Sequence, residues 1–263
     1  MASRLITLTT DFGYRDPFVG IMKGVILGIN PEAHIADLNH GLPPQDLMAA
    51  ALSLGASVPF FPRDTIHLCV VDPGVGSERK PLAIDADGYL FVGPDNGIFT
   101  LAVNAMKVRK IIELTNNQYH LQPTSRTFHG RDIFAPAAAH LSLGTPMQEL
   151  GNPVHDFNRL PWQGVNKNKD GIEGEILYLD GFGNMITNIY ESELAAIPSE
   201  TATVSFGNHT IRGLSSHYSS GENKHYLALI NSWGLVEIAI YKGNAHLSSR
   251  AKVGDRVKIE SAQ

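Results

Sequence analysis

Cysteine is almost missing from this 263-residue chain. Cys69 stands alone, so no intrachain disulfide can form and nothing calls for an oxidising compartment. Set in His67-Leu68-Cys69-Val70-Val71, it reads as a small buried hydrophobe rather than a nucleophile. No apolar run reaches the roughly 18 residues that a membrane span requires. Met1-Ala2-Ser3-Arg4 runs straight into a strand without the charged, apolar and cleavable regions of a leader. Basic charge is short too: 21 Lys and Arg against 26 Asp and Glu leave a net charge of −5. With no Lys/Arg run carrying interleaved aromatics, nucleic acid is not an expected partner. Together these absences imply a soluble, cytoplasmic protein that engages neither membrane nor nucleic acid.

Familiar cofactor motifs are missing as well. Gly74-Val75-Gly76 lacks both the Lys-Ser/Thr of a P-loop and the GxGxxG of a dinucleotide fold, so no phosphate cradle is present in either form. The triplet Asp11-Phe12-Gly13 matches a kinase, yet no glycine-rich loop, strand lysine or catalytic loop accompanies it. HExxH, CxxC and EF-hand spacings are all lacking, so no metal site is inferred.

What remains is an ordinary globular composition, 43% hydrophobic and 18% charged, which affords a sizeable core. Leu5 to Thr9 is β-branched and apolar, and Phe18, Ile21, Met22, Val25, Ile26 and Ile29 then recur at helical spacing before Pro31. The alternation continues with strands at Ile35–Leu38, His67–Val71, Leu82–Ile84, Tyr89–Val92 and Lys110–Leu114, and helices at Gln45–Ser57, Ile98–Met106 and Arg131–Leu143. Strands separated by helices predict an α/β domain over residues 1–155, with a mainly parallel sheet flanked by helices. Residues 156–171 turn to Asn, Lys, Pro, Asp and Gly, the composition of a linker. Over residues 172–263 helical periodicity fades. Short strand candidates at Gly174–Leu179, Met185–Ile189, Ala202–Phe206, Tyr226–Ile230, Val236–Tyr241 and Arg256–Ile259 predict a smaller all-β barrel or sandwich.

Ligands in parallel α/β sheets bind beyond the carboxyl ends of the strands, and both Asp11 and Asp72 directly follow strand candidates. Asp72 and Arg79 lie on one Gly/Pro loop whose spacing lets it fold back and pair carboxylate with guanidinium. Spacing alone leaves open whether that pair orients a ligand or only braces the loop. His129 precedes a helix start, where a neutral imidazole can accept a proton or hold a water. Asp132, in the first turn, reads as a helix-end charge. In the second half, Asp180-Gly181-Phe182-Gly183-Asn184 sets an acid, an aromatic and an amide in one turn, with Asn231-Ser232-Trp233-Gly234 and Gly243-Asn244-Ala245 as similar turns. An amide beside an aromatic suits a purine, which stacks on its face and hydrogen-bonds at its edge. Each turn on its own is equally an ordinary Gly/Asn hairpin turn.

Taken in order, Thr10-Asp11-Phe12-Gly13, Asp16-Pro17-Phe18-Val19-Gly20, Val71 to Gly76, Gly93 to Gly97, Phe128 to Pro136 and Asp180 to Asn184 resemble the S-adenosylmethionine hydroxide adenosyltransferases, or SAM hydrolases, relatives of the fluorinases and chlorinases. The resemblance spans nearly the whole chain. It implies an N-terminal α/β and a C-terminal β domain assembled as a homotrimer, with SAM held between neighbouring subunits. It also implies hydrolysis of SAM to adenosine and L-methionine by nucleophilic substitution at the ribose 5′ carbon, with no cofactor or metal. Asp72, Arg79 and His129 match the set that holds and activates the water, with His129 expected to take or share its proton. Asp11 matches the aspartate that grips the ribose hydroxyls, Asp180 one near the methionine part, and Asn184 the amide that reads adenine. Ser232 and Ala245 lie where the family supplies further ligand contacts. Competing expectations are a halogenase forming a 5′-halo-5′-deoxyadenosine and a non-catalytic adenosine- or SAM-binding protein. The fluorinase's extra N-domain loop is not evident between Ile84 and Gly97.

Overall fold

A computed structural model describes residues 4–162, 164–169, 171–221 and 225–261. Met1 to Ser3, and Gln163 and Asp170 within the stretch read as linker, lie outside the described residues. The chain divides into two compact units, Met1–Leu160 and Pro161–Gln263.

The first unit alternates strands and helices: β1 (Leu5–Thr10), α1 (Phe18–Ile29), β2 (His34–Asn39), α2 (Leu47–Ser57), β3 (Ile66–Val70), β4 (Pro81–Ala86), β5 (Tyr89–Pro94), α3 (Thr100–Val103), β6 (Val108–Glu113), α4 (Ala135–Ser142) and β7 (Asn152–Pro153). They form a seven-stranded sheet in the order β2-β1-β3-β5-β4-β6-β7. Parallel pairing is confined to β2, β1, β3 and β5, and the rest is antiparallel. The sheet is therefore mixed, and the cause is local. Asp87-Gly88, with φ of 47° and 84°, forms the tight turn that returns the chain beside β4 as a hairpin, without a crossover helix.

Residues from β1, β3 and β5 bury Ile6, Leu8, Ile66, Leu68 and Val92 against Met22 and Ile26 of α1 and the alanines of α4. Small side chains let α4 lie close to the sheet. Asp46 caps α2, its carboxylate accepting from Ala49 N at 2.9 Å. No helix among the described residues is long and apolar enough to cross a membrane.

Opposite that core, His67 of β3 is fully buried and stacks on Phe91 with ring centroids 5.4 Å apart. Its Nδ1 bonds Thr7 Oγ1 at 2.8 Å. Burial pushes the imidazole from the ordinary value of 6.5 down to about 4. A native state that keeps this ring neutral is fully favoured above the unfolded value and loses that advantage as pH falls toward the folded one. On the order of 3 kcal/mol should be lost between pH 6.5 and 4. Urea midpoints measured across that range should fall in the wild type and fall less in His67→Gln, which still offers Thr7 an acceptor. Parallel curves would show that His67 is not the group responsible.

The second unit is built of antiparallel strands β8 (Asn166–Asn168), β9 (Gly171–Leu179), β10 (Met185–Tyr190), β11 (Ala202–Phe206), β12 (His209–Arg212), β13 (Tyr226–Ile230), β14 (Leu235–Ile240) and β15 (Arg256–Ser261), with α5 (Ala245–Ser249) between the last two. Their order is β12-β11-β15-β9-β10-β14-β13, with β8 paired to β9. Long β9 pairs through Ile172–Glu175 with β15 and through Ile176–Leu179 with β10, which curls the sheet. Beyond β12 the chain reaches the β13 edge, where Ser215 N donates to Ala228 O at 2.7 Å and nearly closes a barrel. Asn166–Asn168, read from composition as linker, instead makes an edge strand on Ile172 and its neighbours.

Candidate active site

Three segments of the first unit converge on one cavity of about 710 Å³: the end of β1, the loop after β3, and the residues leading into α4. This size suits a small-molecule ligand. Asp11 lies at the end of β1, and its Oδ2 accepts from Gln45 N at 2.8 Å. Gln45 adopts a left-handed φ of 64°, a conformation a non-glycine residue keeps only when its surroundings impose it. The Asp11 turn is held from both sides by His40: its ring bonds Thr10 Oγ1 at 2.7 Å, and its carbonyl accepts from Gly13 N at 2.8 Å.

The Asp72–Arg79 loop folds back as its spacing allows. Arg79 Nε donates to Asp72 Oδ1 at 3.0 Å, and Nη2 donates to Oδ2 at 2.5 Å, a fork-on-carboxylate pair with side chains only 8% and 6% exposed. Gly76, with φ of 78°, lets the loop press on the segment before His129; a Cβ there would collide with the Arg126 carbonyl. Arg79 Nη2 also reaches His129 Nδ1 at 2.7 Å.

A guanidinium can only donate, so Nδ1 is the acceptor and the neutral ring carries its proton on Nε2. Burial and then the Arg79 charge depress the His129 pKa, while Asp72, Asp132 and a hydrogen bond to the Ser125 backbone pull against them; the net direction is down. Behind the pair, the guanidinium lies 5.2 Å from the Phe134 ring centroid. Phe12, Phe18 and Phe128 meet edge to face at 5.3 to 5.9 Å and make an apolar wall. A wall of π-faces suits a cation held out of water.

The second unit has its own cavity of about 590 Å³, lined by Asp180, Asn184, Ser232, Tyr218, Trp233 and Glu237 among others. Asp180 organises its turn: Oδ1 accepts from Phe182 N and Asn184 N, both at 2.8 Å, and Oδ2 accepts from Asn184 Nδ2 at 2.9 Å. Ser232 sits in a turn closed by Asn231, whose Oδ1 accepts from Trp233 N at 2.9 Å. Ala245 is fully buried at the start of α5 and is not among the lining residues. Its helix seats the Asp180 turn from behind, His246 N donating to Gly183 O at 3.0 Å.

Sequence reasoning passed over Tyr218 and Glu237. Glu237 is 3% exposed and accepts from Tyr218 Oη at 2.9 Å and from Asn231 Nδ2 at 3.2 Å. Burial raises its pKa against those bonds, and Tyr218 is pushed up to about 12 by burial and by Glu237. The available signal was a single charge inside the apolar run Leu235-Val236-Glu237-Ile238-Ala239-Ile240. Among the described residues no group of three or more His, Cys, Asp or Glu side chains is gathered to hold a metal ion.

Two family models match the chain: the SAM hydroxide adenosyltransferase N-terminal domain over residues 6–151 and the corresponding C-terminal domain over residues 174–258. An (R)-S-adenosyl-L-methionine hydrolase from Salinispora tropica is 37% identical, with 97% of each chain covered. A fluorinase from an Actinoplanes species is more distant, 26% identical over 72% of this chain and 73% of its own. Among solved structures, a conserved protein from Thermotoga maritima superposes with a TM-score of 0.90 at 33% identity, covering 97% of this chain and 99% of that one.

Proposed function

The chain belongs to the SAM hydroxide adenosyltransferase family, and from that premise we propose that it hydrolyses S-adenosyl-L-methionine, the (R)-sulfonium epimer above all, to adenosine and L-methionine. The observation that carries this reading is the Arg79 fork that joins, from behind, Asp72 and His129 on the wall of the aromatic-lined cavity. The epimer preference follows the name of the Salinispora relative.

Water oxygen attacks C5′ and the C5′–S bond breaks. Its electron pair leaves with sulfur as the neutral thioether of methionine, and one proton is released. The sulfonium is already a good leaving group, so neither metal nor cofactor is needed; positioning and exclusion of water supply the rate. Asp11 clamps the ribose hydroxyls, and Asp180, Asn184 and Ser232 serve the methionine and adenine ends. Since the Nδ1 lone pair of His129 is taken up by Arg79, the water's proton goes to the Asp72 carboxylate. This revises the expectation that His129 receives it: the neutral ring, hydrogen-bonded to the Ser125 backbone, accepts from Arg79 through Nδ1 and so holds the guanidinium in place against Asp72.

A protonated His129 can no longer accept from Arg79. Because its pKa is depressed by burial and by Arg79, kcat should stay flat through the ordinary imidazole range and fall only at lower pH. A break at or above the ordinary value of 6.5 would count against this assignment. The working form is a homotrimer in the cytoplasm, with each site completed by a neighbouring copy; the unpaired, buried Cys69 is consistent with a reducing compartment. Light scattering should return three times the chain mass.

The activity itself is tested with an (R)/(S) mixture of SAM in chloride buffer. Adenosine and methionine should form in equal amounts as the (R) epimer is consumed. A 5′-chloro product would make the protein a halogenase, and binding without turnover would make it a sensor.

A further inference from the structure

Asp132 first reads as a simple helix-end charge, yet its side chain is fully buried. Two consequences of the local sequence explain what it does there. Pro136 has no N–H, so the bond an α-helix would make from residue 136 back to the Asp132 carbonyl cannot form. The turn over Gly130–Phe134 widens into a π-helical one, with Ala135 N bonding Gly130 O, and the freed Asp132 carbonyl accepts from Leu121 N at 2.8 Å. At the other end of the same segment, Ser125 N donates to Asp132 Oδ2 at 2.8 Å. One residue thus fastens the Leu121–Ser125 strip at two points.

The carboxylate is satisfied by Arg131 as well, Nε donating to Oδ1 at 2.5 Å and Nη2 to Oδ2 at 3.0 Å. Burial alone would raise its pKa, but the bonds from Arg131 and Ser125 hold it below the usual carboxylate range, so the group is ionised. Ser125 is the link to chemistry. It lines the cavity, its Oγ accepts from Phe128 N at 3.0 Å, and its backbone hydrogen-bonds the His129 ring. From there the chain of contacts runs through Arg79 Nη2 to Asp72.

We propose that Asp132 is a positioning residue that sets the orientation of His129 by fixing Ser125 against the widened turn, Gly130–Phe134, that leads into α4. The proposal rests on the hydrolase reading for its kinetic consequence but not for its structural one. A misplaced group of this kind costs on the order of 10- to 100-fold in rate even when it touches no substrate.

The test pairs two substitutions with two readouts. Asp132→Asn keeps the volume and one acceptor for Ser125 while removing the charge and the Arg131 pair. Asp132→Ala removes everything and is the variant at risk of not folding, so circular dichroism and Tm are taken first. For Asp132→Asn, kcat for adenosine release should fall about tenfold with KM within about twofold, and for a folded Asp132→Ala kcat should fall about 100-fold. The His129 titration, followed by NMR of the ring, should move to lower pH in Asp132→Asn, because a nearby negative charge that favours the imidazolium is gone. The acid limb of kcat should move with it. An unchanged His129 titration and unchanged kcat, with only a lower Tm, would overturn the proposal. A wild-type protein that releases no adenosine would instead overturn the hydrolase reading, and the orientation of the His129 ring, read from its NMR contacts to Ser125 in wild type and folded Asp132→Ala, would still decide the role of Asp132: contacts retained in the variant would overturn it.

Discussion

Arg79→Met is expected to lower kcat for adenosine release roughly 100- to 1,000-fold, the scale on which removal of one preorganised donor is felt at a reacting centre. Three contacts vanish together: both arms of the fork on Asp72 and the bond to His129 Nδ1. The remaining Asp72 carboxylate, 6% exposed, is then a buried charge without its partner. Breaking such a pair costs about 3–5 kcal/mol of stability, so a clear drop in Tm should accompany the kinetic loss. Arg79→Lys should rescue little, since an ammonium offers a point charge where a planar fork bridges two acceptors. Single-turnover chromatography of product, normalised to folded protein, measures this directly. If Arg79→Met turns over at the wild-type rate and is merely less stable, the pair is structural.

The second large effect is expected in the other unit. Asp180→Ala removes three hydrogen bonds that shape the Asp180–Asn184 turn and releases the Asn184 amide from its fixed orientation. At about 1 kcal/mol for each bond, the binding surface weakens by an amount equivalent to a rise of roughly 100-fold in KM, with kcat much less affected. Asp180→Asn keeps one acceptor and should fall between alanine and wild type. Isothermal titration with adenosine provides an independent reading of the same loss. An unaltered KM would separate this cavity from the substrate site.

The features most legible in the sequence were those set by apolar periodicity and by strand-end acids. The helix through Met22 and Ile26, the strand before Asp72 and the fold-back to Arg79 were all readable from residue order. Less legible were features decided by a single backbone atom. The hairpin at Asp87-Gly88 makes the sheet mixed, and two residues outweighed the strand-helix rhythm around them. α3 was expected over Ile98–Met106 but spans only Thr100–Val103, following Gly97 with φ of 95°. β12 escaped because Ile211 is the only apolar residue in His209-Thr210-Ile211-Arg212, so its alternating burial leaves no apolar alternation in the sequence.

In the site, Asp11, Asp72, Arg79 and His129 are legible from their strand-end and helix-start positions, and they lie together around or directly behind one cavity. Asp132 was read too weakly because its importance depends on the missing N–H of Pro136 four residues later and on a segment that returns from Leu121. Glu237 was missed because a strand that is apolar around it carries no motif; its partner Asn231 sits in the β13–β14 hairpin turn, and Tyr218 comes from the segment before β13.

The most direct test of water attack at the adenosyl carbon is hydrolysis of SAM in ¹⁸O-enriched water with mass analysis of both products. Adenosine should carry one ¹⁸O, located on the 5′ oxygen, and methionine none. Adenosine without the label, or a 5′-halogenated nucleoside in its place when chloride is present, would contradict the assignment of Asp72, Arg79 and His129 to the activation of water.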